Sequence, residues 1–223
     1  MDTPQELSGE QIRQTASETV GAEASIRDRV HDLTLEALRS RRFDSKGVRE
    51  VVRAVVEGVA LGAESSRAEV RQSLADAFQG LDEALRKATQ AGQTALRQIV
   101  ATGRGFSDNE LKAALVSMKR IEDDFLATVA QVADGAGARV QPELRKVLDE
   151  ARRSGTETGR QVGSILTEFA QRVSVASLDV TLAGLEAAGE FGARFAMLAS
   201  GVLGGVADAL RKPETETPEN KAP

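Results

Sequence analysis

The chain has 223 residues and sets 29 Lys and Arg against 34 Asp and Glu, a formal charge of −5, with both signs mixed along every segment. That mixture argues against nucleic acid as a partner, because no continuous basic stripe can form. There is no Cys, hence no disulfide, thiolate nucleophile or sulfur-ligated metal; with 3% aromatics and neither Trp nor Tyr, a strand-rich fold is excluded as well.

The first helical signal opens at Ser8, where Ser8-Gly9-Glu10-Gln11 reads as a capping box, with apolar positions following at Ile12, Ala16 and Val20. A second run, Ile26, Val30, Leu33 and Leu38, lies beyond a break at Gly21 and Ser25. After a turn at residues 41–45, either Asp44 or Ser45 caps the next helix. From Gly47 to about Thr102, Val52, Ala63, Leu74, Leu85 and Leu96 recur every eleven residues, with Val59, Val70 and Leu81 beside them. Eleven residues over three turns is close to a straight helix, so this stripe predicts one long buried face. Gly58, Gly62, Gly80 and Gly92 weaken it, and Ser66-Arg67-Ala68-Glu69 is placed to restart it. Ser107-Asp108-Asn109-Glu110 caps a further helix that runs to Asp134-Gly135-Ala136-Gly137, where two glycines permit a left-handed stop. Another helix begins at Pro142 and continues through Leu148, Val162, Ile165 and Phe169.

From Ser174 to Lys212 the composition shifts to Ala, Gly, Val and Leu, and residues 213–223 read as a disordered tail. The fold expected is all-α: an elongated bundle of long amphipathic helices over residues 1–212, divisible at 105/106, with a C-terminal helical hairpin. The polar start, Met1-Asp2-Thr3-Pro4-Gln5-Glu6, is no targeting signal, so the cytoplasm is the expected compartment.

The residues assemble no catalytic, cofactor or metal site. His31 is the sole histidine and has only Asp28 one turn before it, too few ligands for a metal. Glu122-Asp123-Asp124 reads as a solvated helix face, and Arg39, Arg41 and Arg42 as cations at a helix C-terminus. Gly103-Arg104-Gly105 and Gly135-Ala136-Gly137 lack the rest of any phosphate-loop motif and read as helix stops.

Two rows of small residues at four-residue spacing stand out as packing sites: Gly155, Gly159, Gly163, and Gly184, Ala188, Gly192, Ala196, Ser200, Gly204. Such a row is a shallow helix groove into which another helix can press. If the chain reverses near Val175, Gly159 meets Gly192; if the helix is continuous there, both rows are left for a second copy. The charges of the last segment, Asp179, Glu186, Glu190, Arg194, Asp208, Arg211 and Lys212, share an arc of about 100°. Its longest uncharged stretch, Phe195 to Ala207, falls short of the ~20 residues a membrane span needs.

The cysteine-free helical periodicity and apolar C-terminal segment resemble those of uncharacterised all-helical bacterial proteins, and of the phasins that coat polyester granules. The resemblance implies no site residue. The expected function is therefore non-catalytic: a self-associating scaffold, adaptor or regulator forming homo-oligomers. The alternative is a phasin-like coat on a granule or membrane surface.

Overall fold

The computed structural model describes residues 7–21, 25–41, 44–66, 69–102, 108–169, 199 and 201–202, and among these the regular structure is wholly helical. Three helix starts follow from caps within four residues. At α1 (Gly9–Val20) the Ser8 hydroxyl accepts from the Gln11 amide at 3.2 Å while the Ser8 amide donates to Gln11 Oε1 at 2.8 Å, which completes the capping box. Ser25 caps α2 (Ile26–Arg39), and Asp44, rather than Ser45, caps α3 (Ser45–Ser65) by accepting from the Gly47 amide at 2.8 Å.

The eleven-residue stripe is buried as expected, with Val52, Leu85 and Leu96 at 0% exposure, but it does not lie on one helix. The chain breaks at Ser66, and α4 (Val70–Thr102) takes over the pattern. Arg139 donates to the carbonyls of Glu64 and Ser66, at 3.3 and 2.8 Å, and so satisfies the end of α3. Helix α5 (Asp108–Gly135) starts at the predicted boundary, although Ser107 itself lies outside the described residues. It ends without a left-handed glycine: the single positive φ among the described glycines belongs to Gly155, at 76°.

That glycine corrects a second expectation. The helix predicted from Pro142 to Phe169 is two helices, α6 (Gln141–Ser154) and α7 (Glu157–Phe169), joined at Gly155-Thr156. A φ of 76° is costly for any residue with a Cβ, so glycine is required at the turn.

In the bundle α1 packs on α3, α2 on α4 and α3 on α5, while α6 and α7 rest on α4 and α5. One core cluster takes side chains from all seven of the described helices, and the stacked rings of Phe78 and Phe125, 5.0 Å apart, join α4 to α5. Buried Thr19, Thr34, Thr89 and Thr128 satisfy their hydroxyls on the carbonyl four residues back, at 2.6–2.8 Å. Ala199 also joins the core, at 1% exposure. The predicted reversal near Val175 and the tail at 213–223 lie outside the described residues.

Three of the glycines that weaken the stripe, Gly58, Gly62 and Gly80, turn out to be seams. A Cβ on Gly58 would collide with the Arg13 carbonyl of α1 and come within 2.7 Å of Ala16 Cβ. One turn on, a Cβ on Gly62 would collide with the Ser17 carbonyl, and one on Gly80 with the Arg27 carbonyl of α2. Close helix approach at missing side chains therefore does occur here, on α3 and α4.

Candidate functional site

Helix α7 is positioned by carboxylates on its neighbours. Asp82 of α4 is 7% exposed and faces the α7 N-terminus. Its Oδ2 accepts from the Glu157 amide at 2.7 Å and its Oδ1 from the Thr158 amide at 3.0 Å. The Thr158 hydroxyl lies 2.7 Å from the same Oδ1 and 3.1 Å from the Asp82 carbonyl oxygen. Two of the free amides of a helix N-terminus are thus satisfied by an anion from another helix, where the dipole favours one. Thr156 supplies the local cap, accepting from the Gly159 amide at 2.8 Å and donating to Glu122 of α5 at 2.6 Å. Glu122 packs so closely on Gly159 that a Cβ there would strike its carboxylate. At the far end Arg97 holds Glu168 through two bonds of 2.6 and 2.8 Å, and Gln93 joins Glu168 to Gln161. The Arg97 bond, with smaller help from Gln93, holds the Glu168 carboxyl below the usual carboxylate range. The Arg160 bond does the same for Glu157.

The clamp forms one end of an open groove of about 580 Å³ between α4 and α6. On α4, Arg71, Ala75, Phe78, Asp82 and Arg86 line it as a single stripe, and Val147 and Ala151 of α6 face them. Most charges around it are occupied. Arg27 binds Glu83 at 3.0 Å, Lys146 binds Glu143 at 2.7 Å, and Arg160 binds Glu157 at 2.5 Å. Glu150 is held by Arg153. Arg71 and Arg86 have neither hydrogen bond nor ion pair, although Arg86 acts through space on Glu157.

A second groove, about 550 Å³, lies between α3 and the end of α5. Ala60, Leu61, Val132 and Ala136 give it an apolar lining, and Leu61 is the one large hydrophobic side chain left exposed among the described residues, at 56%. Arg13 lies 3.5 Å from Glu57, and Arg53 donates to Gln131 at 2.9 Å.

The small-residue row on the described chain is distributed among three settings. Gly155 makes the turn, Gly159 meets Glu122, and Gly163 faces open space. Gly184, Ala188, Gly192, Ala196, Ser200 and Gly204 lie outside the described residues. The acidic triplet is not wholly a solvated face. Asp123 is exposed, but Glu122 holds Thr156, and Asp124 binds Arg49 at 3.0 Å and the Ser45 hydroxyl. His31 is mostly covered, and its Nδ1 lies 2.9 Å from Asp32. Among the described residues no three His, Cys, Asp or Glu converge as a metal site would require, and no helix is long and apolar enough to cross a membrane.

Fold and grooves together define an all-α bundle whose described surface offers inter-helix clefts. The chain belongs to a family of unknown function, DUF6781, which matches residues 2–212. No curated protein and no solved structure matches it.

Proposed function

We propose that the protein is a non-catalytic helical scaffold that works through protein contact, its first partner being a second copy of itself. Leu61 carries this reading. It projects beside a groove whose apolar part is made of the smaller Ala60, Val132 and Ala136, so one patch offers both a knob and a recess, the self-complementarity a two-fold interface requires. The ionisable residues lining that groove, Arg13, Arg53, Glu57 and Glu64, cancel in charge, so two copies meet there without repulsion. Burying a leucine contributes about 1.5–3 kcal/mol, so two of them support a concentration-dependent dimer rather than a permanent one.

The test is mass by light scattering across a concentration series, with refractive-index detection because the chain lacks Trp and Tyr. The mass should rise towards twice 23.7 kDa, and Leu61→Glu should hold it at one chain. A wild-type protein that stays monomeric throughout, or a variant that associates as the wild type does, contradicts the proposal.

A further inference from the structure

The groove between α4 and α6 points to a different partner and goes beyond self-association. We propose that it docks an acidic helical segment of another protein, with Arg71 and Arg86 receiving carboxylates near its two ends.

Both arginines lie on the groove stripe of α4, fifteen residues apart, which places them about 22 Å from one another along the axis. Each lacks a hydrogen bond or ion pair, although Glu83, Glu150 and Glu157 line the same groove; those carboxylates are taken by Arg27, Arg153 and Arg160. Arg71 is also in the first turn of α4, where the helix dipole disfavours a cation and an incoming anion relieves it. Between the arginines Ala75, Phe78, Val147 and Ala151 form a small or apolar strip of the kind against which an amphipathic helix lays its face, with Gln79, Asp82 and Glu83 also in the lining.

The spacing and charges select among anionic partners. Two cations about 22 Å apart cannot share one small anion. A continuous phosphate backbone or an anionic membrane would gain little along most of the groove, because the carboxylates Asp82, Glu83, Glu150 and Glu157 nearly cancel the cations that line it. A peptide can instead set its carboxylates at the two ends and present neutral residues between them.

The probe is a fluorescein-labelled, alanine-rich helical peptide with glutamate pairs fifteen residues apart and leucines on the same face between them. Titrated with the full chain, it should bind saturably, and binding should weaken as salt rises. Arg71→Ser and Arg86→Ser should each weaken it several-fold, and together about tenfold or more. Arg29→Ser, at an exposed cation that lines neither groove, should leave it unchanged. Helical circular dichroism checks that each variant is folded, and a peptide with Gln for Glu, which should bind far more weakly, tests the charge without altering the protein. Absence of saturable binding overturns the proposal, as does equal binding of the Gln peptide or full affinity in the folded double variant. Duplex DNA or anionic vesicles that bind through Arg71 and Arg86 more tightly than the peptide does would overturn it too.

Discussion

Helix α1 is held where its neighbour lacks side chains, at Gly58 and Gly62 of α3, whereas α7 is held where its neighbours present carboxylates, at Asp82 and Glu122. At the first interface backbone meets backbone, and the ion pair across it, Arg13 with Glu57 at 3.5 Å, is long and partly exposed. At the second, buried Val162, Ile165 and Phe169 supply apolar area, while the N-terminus and the far end are fixed by hydrogen bonds to charged groups. The glycine seam should therefore be intolerant of added volume and less sensitive to acid than the clamp. The clamp should tolerate modest changes of size but depend on acceptors and on pH.

The largest effect expected is from Gly58→Leu. Its side chain would have to displace the α1 backbone at Arg13, and overpacking of that kind costs about 3 kcal/mol or more, well beyond the ~1 kcal/mol of helix propensity regained. Reversible urea unfolding measures the loss, and a midpoint equal to wild type would remove the seam from the account. Next comes Asp82→Ala, which strands the Glu157 and Thr158 amides, while the Thr158 hydroxyl keeps the backbone carbonyl of residue 82 as its acceptor. Leaving such groups unsatisfied costs about 2–3 kcal/mol, most of it felt in α7.

Acid should produce the smallest change. The folded Glu168 and Glu157 carboxyls sit below the ordinary glutamate value, so their contribution is complete above that value, about 4.3. It is lost as pH falls through the depressed folded value. Lowering pH from 6 through that window should loosen α7 before α1, and Glu168→Gln should blunt the difference. Both pairs are partly exposed, Arg97 and Glu168 at 59% and 32%, so the effect should be modest and reduced by salt. Equal acid sensitivity in the two helices would contradict the assignment.

What the sequence made legible was local. Ser8 caps within three residues of itself and is read from spacing alone, whereas spacing leaves Asp44 level with Ser45 and marks Ser25 only as a break. The stripe at Val52, Leu85 and Leu96 was legible because burial repeats with the helix turn, even across the break at Ser66. Glycine was ambiguous because it serves two opposite purposes here, a missing side chain at Gly58 and Gly62 and a positive φ at Gly155. The break at Gly155 did leave a signal: Arg152 and Arg153 close α6, Thr156 can cap, and Glu157 opens α7. Asp82 could not be assigned in the same way, since its partners lie 75 and 76 residues away and no local pattern records them. The groove arginines were similarly hidden, because their significance lies in which neighbours are already paired.

Amide hydrogen exchange, resolved by helix, tests most directly the claim that two kinds of contact hold this bundle together. In Asp82→Ala, α7 should exchange faster while α1 and α3 keep their wild-type protection. In Gly58→Ala, where a Cβ would press on Arg13 and Ala16, α1 should exchange faster and α7 should not. If both variants speed exchange equally in all the helices, the bundle opens as one unit and the distinction between seam and clamp fails.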